Sequence, residues 1–128
     1  MPSWTVDEFL ADGEAMVHLL RYCRTEYNDE NISFLNSVQV WRRKPDGERT
    51  IKDRNDLINK YIMTDAPKEV NLPSALRTPI EVALVDATVP PDSGIFDAAV
   101  AEIKKLLTKD VIPRFLKTDD GIPYSTHT

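Results

Sequence analysis

Three clusters of polar side chains are the places where this sequence could bind a partner or carry out chemistry. They cover residues 26–31, 68–73 and 106–116, and the apolar pattern places all three in loops or at helix ends, where binding residues concentrate. Each cluster also has a purely structural interpretation. The first two could be helix caps and turns. In the third, Asp110 and Arg114 have the spacing of a surface ion pair, which contributes at most about 1 kcal/mol.

The remaining reactive side chains form no catalytic arrangement. His18 and His127 are far apart, and the sequence has no HExxH metal motif, glycine-rich phosphate loop or nucleophile elbow. Cys23 lies within a predicted helix, and we interpret it as part of the core. As the only cysteine, it excludes an intrachain disulfide and a zinc site built on paired cysteines. We therefore expect no metal, no cofactor and no enzymatic activity of the chain's own.

Length and composition narrow the class of protein further. The 128 residues suit one domain, and 41% of them are hydrophobic, which is enough for a core. A net charge of −5 with dispersed basic residues disfavours nucleic acid as a partner. No apolar run approaches the roughly 18 residues of a membrane span, and the start has no signal-peptide pattern. Together with the single cysteine, these features favour a cytoplasmic protein.

Apolar residues recur at threes and fours along most of the chain, which predicts an all-α fold. The first helix opens at Thr5 with a capping box. A second helix spans about residues 14–25. A third runs to about residue 44 with Asn28 as its N-cap, and a fourth covers about residues 50–63.

The second half of the chain predicts three further helical pieces. A short helix begins at Pro73, and the last long helix begins near Ile95 after an extended loop. Pro113 should kink or end that helix because proline lacks an amide donor and clashes with the previous turn. A short helix should follow it. From Lys117 onward the chain is polar, so we expect residues 119–128 to form a polar C-terminal tail that frays.

In this order and spacing, the three clusters resemble the RGS box, the domain of regulators of G protein signalling. Residues 27–34 look like its glutamate–asparagine motif, residues 61–72 like its central segment, and residues 96–117 like its closing segment. The resemblance covers residues 5–118, which we predict to be an RGS domain. It implies nine helices, arranged as an antiparallel four-helix bundle plus a subdomain of terminal helices.

The resemblance also implies a function. RGS domains act as GTPase-activating proteins: they bind the switch regions of a GTP-bound heterotrimeric G protein alpha subunit and stabilise its transition state for hydrolysis. The alpha subunit supplies the catalytic groups, so the domain itself is not an enzyme. We expect a monomer that works in the cytoplasm, with recruitment to the inner face of the plasma membrane. The alternative is an RGS-like scaffold that binds proteins or lipid head groups without activating a GTPase.

The family's contact residues carry over by position. Asn71 matches the asparagine beside the alpha subunit's catalytic glutamine, and Arg114 matches an arginine that orients the aspartate equivalent to Asp110. The predicted alpha-subunit contacts are Glu30, Asn31, Asn71, Leu106, Asp110 and Arg114. The predicted secondary contacts are Glu26, Asn28 and Val111.

The sequence departs from the family pattern in four places, of which Val111 and the longer stretch 87–95 bear on which alpha subunit is preferred. Val111 stands where serine is usual, so we expect one polar contact to be lost. Leu35 replaces a common tryptophan, which we interpret as a core change. Asn28 replaces a frequent serine, and both residues can cap a helix. The stretch 87–95 is a few residues longer than usual.

Overall fold

Helices and loops make up all of the chain that the computed structural model describes, which is residues 3–45, 47–86, 88–91 and 94–126. No strand occurs among these residues, so the predicted all-α fold is confirmed. The α-helices are α1 (Val6–Ala11), α2 (Gly13–Thr25), α3 (Glu30–Arg42), α4 (Ile51–Tyr61), α5 (Ser74–Val82), α6 (Asp97–Leu106) and α7 (Ile112–Phe115). A π-helical segment (Leu107–Val111) joins α6 to α7, and a 3-10 turn covers Ile122–Tyr124. Parts of the 87–95 loop, and His127, lie outside the described residues.

Local sequence signals determine how the first two helices begin. The Thr5 hydroxyl accepts from the Glu8 amide at 3.3 Å, and the Glu8 carboxylate accepts from the Thr5 amide at 3.0 Å. This confirms the capping box. Asp12 ends α1 and also caps α2, because its carboxylate accepts from the Ala15 amide at 3.0 Å. One short polar side chain thus satisfies the first amides of α2 and allows α1 and α2 to meet at a tight corner.

The start of α3 differs from the prediction. Asn28 is not its N-cap: the helix begins at Glu30, and Asp29 precedes it without a capping hydrogen bond from its side chain. The Asp29 carboxylate instead pairs with Lys68 at 2.8 Å. The Asn28 side-chain amide donates to Glu26 at 3.3 Å. Asp29 is therefore engaged by a distant lysine and Asn28 by a neighbouring carboxylate, so neither side chain caps the helix.

The helix that carries the third cluster is continuous past its proline. The interruption that we expected at Pro113 is a π-helical turn placed just before it, in which the Ile112 amide donates to the Leu107 carbonyl. A π turn spaces its hydrogen bonds one residue further than an α turn and is wider. We attribute the π turn to Pro113, which could neither donate to the preceding turn nor fit a regular one.

The segment after Lys117 packs on the domain as far as Tyr124, which corrects the expectation of a frayed tail. The Tyr124 ring lies 5.0 Å from the Trp4 ring, and its carbonyl accepts from the Trp4 amide at 3.1 Å. Gly121 is buried beneath this turn, where an added Cβ would lie only 1.9 Å from the Phe115 carbonyl oxygen. The two ends of the described chain are therefore held together by an aromatic cluster.

The core forms where α3 packs on α4 and α6, with α5 against α6 and α1 against α2. Cys23 is fully buried, and burial raises the pKa of its thiol to about 12, which makes it an inert core residue as predicted. Leu35 is also buried, as expected of a core change. None of the described helices combines the length and the apolar character needed to cross a bilayer.

Arg54 is a buried charged residue that the sequence pattern did not reveal, with only 1% of its surface exposed. Its guanidinium donates to the Val89 carbonyl at 2.6 Å, to the Ala83 carbonyl at 2.9 Å and to the Asn55 side chain. Ala83 is the C-cap residue of α5, and a helix C-terminus carries partial negative charge. Arg54 thereby fastens the end of α5 and the loop that follows it to α4.

Candidate functional site: a polar interaction surface

Two ion pairs bring the three polar clusters of the sequence together. Arg114 from the third cluster pairs with Glu26 of the first at 2.9 Å, across 88 residues of sequence. Lys68 from the second cluster pairs with Asp29 of the first at 2.8 Å, across 39 residues. The three clusters that sequence analysis selected separately are thus parts of one surface, which we call the interaction surface.

Glu26 and Arg114 form the centre of a hydrogen-bonded network. The Arg114 Nε and Nη2 groups donate to the two Glu26 oxygens at 3.2 and 2.9 Å, which gives a bidentate geometry. The Tyr22 hydroxyl donates to the same carboxylate at 2.6 Å. Arg114 Nη1 also contacts Asp110. The family resemblance predicted that Arg114 would meet Asp110, whereas its pairing with Glu26 is visible only in the fold.

Glu26 and Arg114 hold each other in their charged forms. Hydrogen bonds from Arg114, followed by one from Tyr22, lower the pKa of Glu26 to about 2. Hydrogen bonding to Glu26 is also the main cause that raises the pKa of Arg114. Burial and the bond to Glu26 raise the pKa of Tyr22, so its hydroxyl remains a donor. The fixed charges therefore require no change of protonation when a partner approaches.

The residues of the third cluster differ in how much surface they offer. The Asp110 side chain is 70% exposed and contacts Arg114 through one oxygen, Oδ1. Leu106 is partly buried against the core. Val111, by contrast, is only 6% exposed. This burial leaves a partner little surface to touch, which counts against Val111 as a secondary contact.

Asn71 projects from the loop between α4 and α5 without a partner. It is exposed, and its side chain makes no hydrogen bond to any described residue. Val70 and Leu72 on either side of it are buried, at 0% and 6% exposure. An exposed amide between two buried anchors can donate to and accept from a partner without first breaking an internal bond.

The start of α3 adds further groups to the interaction surface. Glu30 and Asn31 occupy its first turn and are both half-buried. The side-chain oxygens of Asn31 and Asn28 are buried and have no hydrogen-bond partner among the described residues. Buried polar atoms are normally hydrogen-bonded. These two acceptors are therefore further candidates for bonds that form only in a complex.

Tyr27 belongs to the interaction surface, although sequence analysis did not name it as a contact. It is 94% exposed and has a φ of 59°, in the left-handed region that non-glycine residues rarely adopt. Tyrosine is one of the residue types enriched among those that dominate binding energy at protein interfaces. A tyrosine among the polar residues 26–31 was the signal that could have identified it.

The described helices thus bring the three polar clusters of the sequence together on one surface. A family model described as "Regulator of G protein signaling domain" matches residues 5–120. The chain belongs to the regulator of G protein signaling (RGS) family, as the resemblance predicted.

Curated relatives carry the same family name. The chain is similar to Regulator of G-protein signaling 18 of Homo sapiens, with 29% identity over 88% of the chain and 46% of the relative. It is 29% identical to Regulator of G-protein signaling 16 of Rattus norvegicus, over 84% of the chain and 51% of the relative. It is 26% identical to Regulator of G-protein signaling 21 of Homo sapiens, over 91% and 74%. The chain thus spans about half the length of the first two relatives.

Proposed function

We propose that this domain binds the switch regions of a GTP-bound heterotrimeric G protein alpha subunit and accelerates its GTP hydrolysis. The observation that carries the proposal is Asn71, an exposed amide without an internal partner, in a loop that Lys68 links to the first cluster. In the complex, Asn71 lies beside the alpha subunit's catalytic glutamine. The domain acts as a monomer in the cytoplasm, at the inner face of the plasma membrane.

Acceleration on this view comes from selective binding. The Glu26–Arg114–Asp110 network is already paired, so it meets the switch segments in a fixed geometry and loses little freedom on binding. Asp110 has an oxygen available to accept from switch backbone amides. Interactions made only with the transition-state shape of the switches lower the barrier, while the alpha subunit keeps its own catalytic groups.

The test is a comparison of nucleotide states. Immobilised domain is incubated with alpha subunits of the same organism, loaded with GDP, with GDP and aluminium fluoride, or with a non-hydrolysable GTP analogue. We expect strongest retention of the aluminium fluoride state, which mimics the transition state, and faster single-turnover GTP hydrolysis when the domain is added. Binding without preference for that state, and without acceleration, would instead indicate an RGS-like scaffold.

A further inference from the structure

We propose that Arg77 is a positioning residue, which holds the backbone on both sides of Asn71 and so presents its amide to the partner. The inference rests on the proposed function because it gives Arg77 a role in that same site. Arg77 lies in α5, six residues beyond Asn71, and its side chain is 13% exposed. Neither its position nor its neighbours in the sequence singled it out.

The guanidinium of Arg77 binds four acceptors along the loop between α4 and α5. Nη1 donates to the Ile62 carbonyl at 2.6 Å and to the Glu69 carboxylate at 2.7 Å. Nη2 donates to the Val70 carbonyl at 3.2 Å and to the Leu72 carbonyl at 3.3 Å. One rigid group therefore bonds the residue before Asn71, the residue after it, and the end of α4.

The two sides of Asn71 depend on Arg77 to different degrees. Before Asn71, the backbone is also fixed to α4, since the Lys68 and Val70 amides donate to the Lys60 and Tyr61 carbonyls, both at 2.9 Å. After Asn71, the bond that the Leu72 carbonyl accepts from Arg77 is the only described hydrogen bond of Leu72. Removing Arg77 would therefore release chiefly the Leu72 side, and Asn71 would lose its fixed direction.

A planar fork is needed for this arrangement. Arg77 can reach the Val70 and Leu72 carbonyls together because the donors of a guanidinium diverge in fixed directions, whereas a lysine ammonium is a compact point charge on a flexible stem. Glu69 balances the charge and fixes the near edge of the fork, and its other oxygen accepts from the Asp65 amide at 3.0 Å. The pair of hydrogen bonds to the Val70 and Leu72 carbonyls therefore requires an arginine at position 77.

A double-mutant cycle with Asn71 tests this role. Single-turnover hydrolysis at saturating domain is measured for Arg77→Met, Asn71→Ala and the double variant. We expect Arg77→Met to lower the maximal acceleration roughly tenfold, because misplacing a group that acts on the reaction is costly. If Arg77 acts through Asn71, the double variant should be no slower than Asn71→Ala alone. If the two substitutions instead lower the acceleration by independent factors that multiply in the double variant, the proposal is overturned.

Arg54 provides a matched control, because its guanidinium, like that of Arg77, donates to main-chain carbonyls, here those of Ala83 and Val89. Arg54→Met should destabilise the domain, as followed by thermal unfolding. Any effect that it has on the rate of hydrolysis should multiply with the effect of Asn71→Ala, because the two residues act independently. Should Arg77→Met fail to fold, Arg77→Lys replaces it in the same cycle. The Arg77→Lys variant should retain the contact with Glu69 and still lose most of its ability to accelerate hydrolysis.

A second measurement needs no alpha subunit and so separates this inference from the proposed function. The NMR order parameter of the Asn71 backbone amide should fall from about 0.85 to below about 0.6 in Arg77→Lys. The same amide should remain rigid in Arg54→Met. An unchanged order parameter in Arg77→Lys would overturn the positioning role, even if the wild-type domain accelerates hydrolysis. A lowered order parameter without any acceleration by wild type would overturn only the proposed function.

Discussion

The two sides of the interaction surface differ in how their polar groups are satisfied before a partner binds. On the charged side, Arg114 is already bonded to Glu26 and Asp110. On the amide side, the Asn71 side chain is bonded to no described residue, and only its neighbouring backbone is held. One side is organised through its side chains and the other through its main chain.

This difference separates two contributions to the proposed activity. A network that is already paired adds contacts without leaving a charge unpaired, so it should contribute mainly to affinity. An unpaired amide forms its hydrogen bonds only in the complex, so it can distinguish the transition state from the ground state of the switches. We therefore expect changes on the amide side to reduce the maximal rate of hydrolysis, and changes on the charged side to reduce binding.

Asn71→Ala should have the largest effect. We expect it to lower the maximal rate of catalysed single-turnover hydrolysis by about a hundredfold, comparable with the loss of one preorganised donor in an enzyme site. Because the side chain is exposed and makes no internal bond, the free energy of unfolding should change by no more than about 0.5 kcal/mol. Urea unfolding measures the second quantity.

Asn36→Ala is the matched control for this substitution. Asn36 is exposed in the middle of α3 and makes no side-chain hydrogen bond to a described residue. The same change of residue type at that position should leave the rate of hydrolysis unaltered. Full acceleration by Asn71→Ala, or equal losses in both variants, would contradict the division between the two sides.

Arg114→Met should affect binding more than rate. It leaves Glu26 and Asp110 without the cation between them, so the affinity for an alpha subunit carrying GDP and aluminium fluoride should fall about tenfold. At saturating concentrations, the maximal rate should change much less. Since the Arg114 side chain is 40% exposed, the loss of stability should be small.

Lys52→Met controls for the loss of a surface ion pair as such. Lys52 pairs with Asp56 at the same spacing of four residues, on a well-exposed part of α4. Its substitution should alter neither the affinity nor the rate. A fall in the maximal rate of Arg114→Met with unchanged affinity would show that the charged side, too, acts on the transition state.

The features that could be predicted from the sequence are those that depend on near neighbours. The capping box at Thr5 involves residues three positions apart. The Asp110–Arg114 pair was also foreseen, because its partners are four residues apart on one helix. Such contacts form whenever the local helix forms, so residue types and spacing suffice to predict them.

The features that sequence analysis missed depend on distant parts of the chain. The sequence pattern indicates Glu26 only as a secondary contact. Its pairing with Arg114 cannot be predicted from local spacing, because the two residues are 88 positions apart. The packing of Tyr124 against Trp4 was missed because no local pattern links the two ends of the domain. The roles of individual residues towards an alpha subunit came from the family resemblance, and they stay predictions.

Glu26→Gln should give the smallest effect, seen in how stability depends on pH. Folding lowers the pKa of Glu26 from 4.5 to about 2, chiefly through Arg114. A lowered pKa stabilises the fold above the unfolded-state pKa, and this contribution is lost as the pH falls from about 5 towards 2. The free energy of unfolding of wild type should therefore exceed that of Glu26→Gln by about 1 kcal/mol at pH 7, allowing for solvent screening. The difference should shrink below about pH 5 and be lost as the pH falls through the folded-state pKa of about 2. In Glu102→Gln, which removes a carboxylate without a described ion pair, no such convergence should appear. A difference for Glu26→Gln that stays constant from pH 7 to pH 2 would show that the charged side is held by shape rather than by its ionised carboxylate.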